Sequence, residues 1–295
     1  MVWLGAACLG QLLLPLSAQE PKRGDALIPN GEGEATVALD PYSLKIFTYR
    51  PKTYSATTSP LILVFHGHSR NPDSYRKYAL GLGDACGGLV VAPYFDEKQF
   101  PGNVYNHGNV LAQGVVQPRE KWTFSLIPKL IEKIRTMERR KEMPYYLLGH
   151  SGGGQFVERL MAFADLKPIR AVAANPGSHL FPTPQLAFPY GFGGLPEAIS
   201  SDNSLKAYLA APLTLYLGTA DTDPNHPQLD KTKTAEKQGP HRLARGRRCY
   251  QQAKDLAAAK GWDCNWQLVE APEIDHSAGK MFNHPSCRDA LFGKH

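Results

Sequence analysis

The chain has 295 residues, of which 42% are hydrophobic and 20% are charged. This composition is typical of a folded globular protein and excludes a chain that is disordered throughout. The net charge of +6 is modest. The length suits one large α/β domain, which we expect over residues 19–295.

The N-terminus has the pattern of an export signal. The first 18 residues carry no charge and include a short apolar stretch, Leu4 to Leu16, followed by the small residues Ser17 and Ala18. This pattern is typical of a secretory signal peptide that is cleaved after Ala18, so we expect an exported protein, either periplasmic or secreted. A buried first segment is the alternative. No later apolar run approaches the ~20 residues that a membrane helix needs, so no membrane span is expected.

Along the rest of the chain, short apolar runs alternate with patterns of helical period. Residues 19–40 are polar and rich in glycine, which predicts an extended lead-in. The elements predicted after it are, in order, strand Tyr42–Tyr49, strand Leu61–Phe65, helix Asp73–Asp84, strand Gly88–Pro93, helix Trp122–Arg139, strand Tyr145–Leu148, helix Gln155–Ala164, strand Ile169–Ala173, strand Leu213–Leu217, helix His241–Lys260 and strand Trp266–Val269. This alternation predicts an α/β fold with a mostly parallel sheet and helices on both of its faces.

Two long stretches lack a regular pattern, Tyr94–Gln117 and Asn175–Ser204. Loops of this length are uncommon unless they build sites or lids, so we expect a lid-like insertion at about 175–204. Its aromatic residues Phe188, Tyr190 and Phe192, together with Tyr94 in the first stretch, are candidates for substrate binding. The alternative is that these side chains only pack against the core.

Cysteine and charge patterns carry less information. Without residues 1–18 four cysteines remain, namely Cys86, Cys249, Cys264 and Cys287. In an exported protein these four cysteines permit two disulfide bonds.

One segment of the chain is strongly basic: residues 231–260 hold nine Lys or Arg and two acidic residues. This basic segment either forms a solvated helix face or attracts anionic substrates. It lacks the interleaved aromatic residues of a nucleic-acid platform, so no nucleic-acid partner is expected.

The strongest chemical signal is Gly149-His150-Ser151-Gly152-Gly153, a match to G-x-S-x-G. It directly follows a predicted strand and precedes a predicted helix, which is the setting of a nucleophile elbow. In such a turn the glycines let neighbouring backbones approach, and the serine hydroxyl is lifted above the edge of the sheet. We therefore expect Ser151 to be a nucleophile and the N–H of Gly152 to face a developing oxyanion.

A nucleophilic serine needs a base, and the base needs an orienting acid. Asp221 lies just past the strand Leu213–Leu217, at the sheet edge where the elbow also lies, and Asp223 is the alternative acid. His276 follows the last predicted strand and is the expected general base.

The strand Leu61–Phe65 runs into His66-Gly67-His68, the usual position of a second oxyanion donor, and we expect the N–H of His68 to serve. His66 and His68 could also be a metal pair, but no carboxylate follows at ligand spacing, and zinc needs three or four ligands. No metal or cofactor is expected.

These motifs resemble the α/β-hydrolase fold, and more narrowly a group of exported bacterial α/β hydrolases that are distantly similar to feruloyl esterases and polyester depolymerases. The resemblance covers roughly residues 40–285. It is carried by His66–Asn71, Ala92–Asp96, Gly149–Phe156, Ala173–Gly177 and Gln238–Gly246. The group often has Ala where this chain has Gly152, and Gly is commoner where this chain has Glu273-Ile274-Asp275 before the histidine.

The residues and the resemblance imply the same activity: a serine hydrolase that cleaves a small or polymeric carboxylic ester through an acyl-enzyme intermediate. A serine peptidase or amidase with the same triad is one alternative. A non-enzymatic binding protein on this fold is the other, since a fold alone does not establish an activity.

Overall fold

The computed structural model describes residues 28–293, so the predicted signal peptide lies outside the described residues. The strands are β1 (Gly31–Leu39), β2 (Tyr42–Arg50), β3 (Leu61–Phe65), β4 (Leu89–Pro93), β5 (Leu111–Ala112), β6 (Val115–Val116), β7 (Tyr145–His150), β8 (Arg170–Ala174), β9 (Leu213–Gly218) and β10 (Gln267–Ala271). The helices are α1 (Pro72–Tyr78), α2 (Leu80–Cys86), α3 (Gly102–Asn106), α4 (Leu126–Met137), α5 (Gly152–Phe163), α6 (Glu197–Ser200), α7 (Asp202–Ala210), α8 (Lys233–Glu236), α9 (Arg242–Lys260), α10 (Ala278–Asn283) and α11 (Pro285–Phe292), with short 3₁₀ turns at Arg119–Lys121 and Thr123–Ser125.

Eight strands form one sheet in the order β1-β2-β4-β3-β7-β8-β9-β10. From β4 to β10 every neighbouring pair is parallel, whereas β1 and β2 form an antiparallel ribbon at one edge. The predicted α/β fold with a mostly parallel sheet is therefore confirmed. The carboxyl ends of β3, β7, β9 and β10 share one edge of this sheet, where ligand sites of open α/β sheets lie.

Both faces of the sheet are buried, which explains why its strands are continuously apolar. Along β3, Leu61, Leu63 and Phe65 point into a core with α4, α5, α7 and α9. Ile62 and Val64 point the other way, into a second core with α1, α2, α10 and α11. The period-2 alternation of a strand thus feeds two cores from one apolar run.

The structure differs from the prediction in several elements. Within the predicted extended lead-in, residues 31–39 form a strand, which pairs along its whole length with β2. The helices α10 and α11 were not predicted. The predicted helix Asp73–Asp84 is instead two helices, α1 and α2, which meet at Ala79. The stretch Tyr94–Gln117 also contains the short helix α3 and the hairpin of β5 and β6.

The expected disulfide bonds are not formed, because all four cysteines of the described region are free thiols. The fully buried Cys249 belongs to the first core and the fully buried Cys287 to the second, on opposite faces of the sheet. A disulfide needs Cα atoms within about 7 Å, so Cys249 and Cys287 cannot pair across the sheet.

Among the helices of residues 28–293, none combines the length and the hydropathy that a membrane span requires.

Most of the segment predicted as lid-like packs tightly on α5. Leu180, Phe181, Phe188 and Phe192 are buried members of the first core. The guanidinium of Arg159, itself fully buried, donates to the carbonyl of Pro189 at 2.8 Å. This segment is therefore held by core packing and by a buried charge-assisted hydrogen bond.

The start of α5 touches the backbone of β3 so closely that residue 153 has no room for a side chain. A Cβ at Gly153 would overlap the carbonyl oxygen of Phe65. We expect Gly153→Ala to lower the free energy of unfolding by about 3 kcal/mol, the upper end of ordinary overpacking costs. Urea denaturation followed by circular dichroism measures this loss.

Gly102→Ala is the matched control, because a Cβ at Gly102 meets nothing within 4 Å. It should stay within about 0.5 kcal/mol of the wild type, as surface substitutions usually do. Equal losses in the two variants would contradict the close approach.

Candidate active site

The predicted elbow is present between β7 and α5. Ser151 has φ 56° and ψ −117°, a conformation that non-glycine residues rarely adopt. It is held by the backbone hydrogen bond from the N–H of Ser151 to the carbonyl of Ala174 at 2.9 Å. A Cβ at Gly149 would overlap the carbonyl of Gly153, so the sharp turn needs glycine at this position. Strained backbone of this kind is concentrated at functional sites.

The structure brings Ser151, His276 and Asp221 into one hydrogen-bonded chain. His276 Nε2 lies 3.0 Å from Ser151 Oγ, and His276 Nδ1 lies 2.7 Å from Asp221 Oδ2. The alternative acid, Asp223, is exposed and accepts a hydrogen bond from the N–H of Asn225 instead. The three side chains come from loops that follow three parallel strands, so their meeting depends on the order of strands in the sheet.

The carboxylate of Asp221 is buried beside a buried cation that the sequence analysis did not identify as part of the site. Arg242 Nη1 donates to Asp221 Oδ1 at 3.3 Å, and both side chains are almost completely inaccessible. Arg242 Nη2 also lies 3.3 Å from His226 Nδ1. Each Asp221 oxygen therefore has its own partner, Arg242 or His276. Of the basic run 231–260, Arg242 and Arg245 are buried, whereas Arg247 pairs with Glu270 at the surface.

Asn175 is a second positioning residue that was missed. It follows β8 at φ 42°, which asparagine tolerates better than most residues. Its Oδ1 accepts from the N–H of Gly218 at 2.8 Å, and its Nδ2 donates to the carbonyl of Asp275 at 3.2 Å. One amide thus ties the end of β9 to the residue before His276. An asparagine directly after a buried strand was the only sequence signal for this role.

His68 and Gly152, the two residues predicted to supply oxyanion donors, are neighbours in the structure. The N–H groups of His68 and Gly152 donate to no backbone or side-chain acceptor in residues 28–293. A Cβ at Gly152 would lie 3.1 Å from the His68 ring and 3.2 Å from Asn106 Oδ1. An alanine methyl at this position would be in tight contact with both side chains, which would have to shift by a few tenths of an ångström.

Two neighbouring pockets, one of which contains triad residues, share His68 and Gln228 in their linings. The triad pocket has a volume of about 160 Å³ and includes Ser151 and His276. The polar pocket has a volume of about 470 Å³ and is lined by His68, Asn103, Asn106, His107, Gln155, Tyr190, Pro227, Gln228, Leu229, Asp230 and Thr232. No lysine or arginine is among the residues that line either pocket. A larger cavity, of about 650 Å³, lies between α5 and α7 and contains none of the triad.

Of the four aromatic residues predicted to bind substrate, only Tyr190 lines one of these two pockets. Phe188 and Phe192 are buried in the first core, so for them the packing alternative was correct. Tyr94 lies outside both pockets, with its ring 6.2 Å from that of His66. Aromatic side chains in loops are commonly buried in an apolar core, and the sequence does not show which core lies near a given loop.

His66 and His68 do not form a metal pair. His66 Nδ1 lies 2.9 Å from the carbonyl of Gly67, and its Nε2 accepts from the N–H of Phe95 at 3.1 Å, so both ring nitrogens are engaged. Within residues 28–293 one cluster has ligand atoms close enough for a metal, namely Glu158, His179 and Cys249. It is fully buried, and Glu158 Oε1 accepts from the N–H of Leu180 at 2.9 Å, which fastens the 175–192 segment to α5.

Several histidines near the site are held neutral by burial. Burial lowers the pKa of His66 to about 3 and lowers the pKa values of His107 and His150 well below their usual range. Burial also lowers the pKa of His68. Desolvation disfavours the imidazolium form, so these rings act as neutral hydrogen-bonding groups.

The pKa of His66 predicts a pH dependence of stability. Its folded pKa lies below its unfolded value of about 6.5, so its contribution is present above pH 6.5 and is lost as the pH falls towards 3. Between pH 7.5 and pH 5 this loss is about 2 kcal/mol. In His66→Gln, whose amide oxygen can accept from Phe95, the free energy of unfolding should fall about 2 kcal/mol less over this range. Urea titrations at both pH values measure it, and an unchanged pH dependence would contradict the assignment.

The pair of Arg242 and Asp221 predicts a large effect on stability. Removing one partner of a buried ion pair leaves an uncompensated charge and costs about 3 to 5 kcal/mol. We expect Arg242→Leu to lose about that amount in urea denaturation at pH 7. Arg247→Leu, on the same helix, breaks an ion pair whose arginine is 52% exposed and should lose less than about 1 kcal/mol. Similar losses in the two variants would show that the buried pair is not special.

The parallel sheet, the strained serine after its central strand, and the acid and histidine after later strands define the α/β-hydrolase class. A scan against protein-family models and a search of curated proteins gave no match. Among solved structures, the chain is 36% identical to poly(aspartic acid) hydrolase-1 from Sphingomonas sp. KT-1, with a TM-score of 0.81 over 86% of this chain and 96% of that chain.

It is also 32% identical to LpqC, a poly(3-hydroxybutyrate) depolymerase from Bordetella parapertussis, with a TM-score of 0.80 over 88% of this chain and 90% of that chain. A thermostable esterase shares the fold alone, at 14% identity and a TM-score of 0.55 over 88% of this chain and 62% of that chain. The chain therefore belongs to the α/β-hydrolase family that contains the first two of these proteins.

Proposed function

We propose that the protein is a serine hydrolase that cleaves carboxylic esters, with Ser151 as nucleophile, His276 as general base and Asp221 as orienting acid. The observation that carries this proposal is the continuous chain of contacts from Ser151 Oγ through His276 to Asp221, at 3.0 and 2.7 Å. Both distances lie within the reach needed for proton transfer from the nucleophile.

In the proposed reaction Ser151 Oγ attacks the ester carbonyl while His276 Nε2 takes its proton. The N–H groups of His68 and Gly152 stabilise the oxyanion, assisted by the positive end of α5. His276 then protonates the leaving alcohol, and an acyl-enzyme remains on Ser151. Water that is deprotonated by His276 releases the acid and regenerates the serine.

Asp221 has the role of holding His276 in the tautomer with its proton on Nδ1 and of stabilising the imidazolium. Its second oxygen accepts a hydrogen bond from Arg242, so the buried carboxylate has a positively charged partner. Arg242 is a positioning residue in this proposal, because it acts on His276 through Asp221.

The residues that line the site favour an ester substrate over an anionic polymer. Neither pocket at the triad has a lysine or arginine, and the polar pocket includes Asp230. The LpqC relative is named for a polyester, which agrees with an ester substrate. The other relative is named for poly(aspartic acid), whose units are joined by amides, so amide hydrolysis is the second candidate. We also propose export, on the pattern of residues 1–18.

The test is hydrolysis of p-nitrophenyl esters from C2 to C12 by the chain without residues 1–18. We expect turnover that Ser151→Ala lowers by about 10⁶-fold, as removal of a nucleophile does in serine hydrolases. Circular dichroism shows whether the variant keeps its fold. Equal activity in both proteins would exclude Ser151 as nucleophile. Activity towards amides alone would select the second candidate, and no activity in either assay would favour a binding protein.

The choice of acid gives a separate prediction with a matched control. Asp221→Asn should lower kcat by about 10⁴-fold, because the amide favours the wrong tautomer of His276. Asp223→Asn makes the same chemical change two residues away on an exposed loop, and should leave kcat within about 2-fold, since surface changes have small effects. A larger loss in Asp223→Asn than in Asp221→Asn would reverse the assignment.

A further inference from the structure

The polar pocket beside the triad has one buried acceptor that is left open. Asn106, at the end of α3, is only 5% exposed. Its Nδ2 donates to His68 Nε2 at 2.9 Å, which suits the neutral ring of His68. Its Oδ1 is buried and accepts no hydrogen bond from any residue in the range 28–293. A buried amide oxygen without a partner is rare in folded proteins and needs an explanation.

The position of this oxygen ties it to the reaction centre. It lies 3.2 Å from the point where a Cβ on Gly152 would be, next to the residue that follows the nucleophile. Asn106 also lines the polar pocket, which shares His68 and Gln228 with the triad pocket. Asn106 is therefore next to the reaction centre, through Gly152 on one side and His68 on the other.

Other acceptors in the same pocket are already used. Asp230 Oδ1 accepts from the N–H of Thr232 at 3.0 Å, and Asp230 Oδ2 accepts from the hydroxyl of Tyr190 at 2.9 Å. Gln155 Oε1 accepts from the hydroxyl of Ser178 at 3.2 Å. Asp230 and Gln155 thus have their side-chain oxygens paired internally, and the other two amide residues of the lining, Asn103 and Gln228, are exposed to solvent. Asn106 Oδ1 is the buried acceptor of this lining that has no partner among residues 28–293.

We propose that the polar pocket is a substrate subsite in which Asn106 Oδ1 accepts a hydrogen bond from a hydroxyl or amide N–H of the substrate, close to the scissile bond. This inference rests on the proposed function. The substrate class is then an ester with a hydrogen-bond donor near its carbonyl, and simple alkyl esters are poorer substrates. Asn106 acts here as a specificity residue that touches the substrate, and its amide N–H also holds the His68 ring.

Leaving a buried acceptor unpaired is costly, so a donor on the substrate should be worth about 10- to 100-fold in kcat/KM. Two pairs of p-nitrophenyl esters test that donor, and the members of each pair differ by at most one heavy atom in size. The hydroxyl pair is 3-hydroxybutyrate against butyrate. The amide pair is N-acetylglycinate against O-acetylglycolate, in which oxygen replaces N–H. The pair that shows the preference identifies the kind of donor.

The experiment measures kcat/KM for these four esters with the wild type, Asn106→Ala and Asn225→Ala. We expect a wild-type preference of about 10- to 100-fold for the donor in at least one pair, falling to within about 3-fold in Asn106→Ala. Asn225 is an exposed asparagine that lines neither pocket, and its variant should keep the wild-type preference.

The subsite is overturned by a wild type without preference in either pair, or by a preference that survives in Asn106→Ala. If that preference survives with an equal loss of kcat/KM on all four esters, Asn106 is assigned to supporting His68. The wild-type ratios decide the matter if Asn106→Ala does not fold. Hydrolysis of p-nitrophenyl acetate is measured alongside. If acetate is hydrolysed and the preference is absent, only the subsite fails, whereas no ester hydrolysis at all contradicts the proposed function.

Discussion

The close backbone contact between the start of α5 and the sheet is the constraint on which the site depends. The chain turns from β7 into α5 within one residue, Ser151, and the first turn of the helix lies against the carbonyl of Phe65. This approach is open only to glycine at positions 149 and 153, because any Cβ there would overlap backbone. The positive φ of Ser151 is the geometric consequence, and it lifts the hydroxyl above the sheet edge.

The partners of the serine are brought to it from distant parts of the chain. His276 lies 125 residues from Ser151 in sequence, and Asp221 lies 55 residues from His276. Parallel strands deliver all three to one edge, but their alignment within hydrogen-bond distance needs further support. Asn175 joins the end of β9 to the loop after β10 through two hydrogen bonds. Arg242 forms an ion pair with the buried carboxylate of Asp221. Asn175 and Arg242 therefore stabilise the positions of the loops, as Gly149 and Gly153 permit the geometry of the elbow.

The same packing shapes the surroundings of the triad. The aromatic residues Phe188 and Phe192 fill the core against α5 and line neither pocket near the triad, and most of the side chains that line the polar pocket are polar. Burial lowers the pKa values of His68 and His107, which disfavours their charged forms.

The sequence alone predicted the parallel α/β architecture, the elbow, and Ser151 and His276 as candidate site residues, and it left Asp221 and Asp223 as alternative acids. These features depend on local patterns: apolar runs of strand length, helical spacing, and polar residues just past a strand. Strand β1 could not be predicted in the same way, because it has few apolar residues and is defined by its pairing with β2.

Only the tertiary structure showed that Asp221, and not Asp223, lies within hydrogen-bond distance of His276, that Phe188 and Phe192 are buried in the core, and that the four cysteines of the described region are unpaired. It also brought Asn106, Asn175 and Arg242 to the site. The physical reason is shared. Each of these outcomes depends on which atoms from remote segments come within a few ångströms, and distances of that kind are set by packing of the whole chain and not by any local pattern.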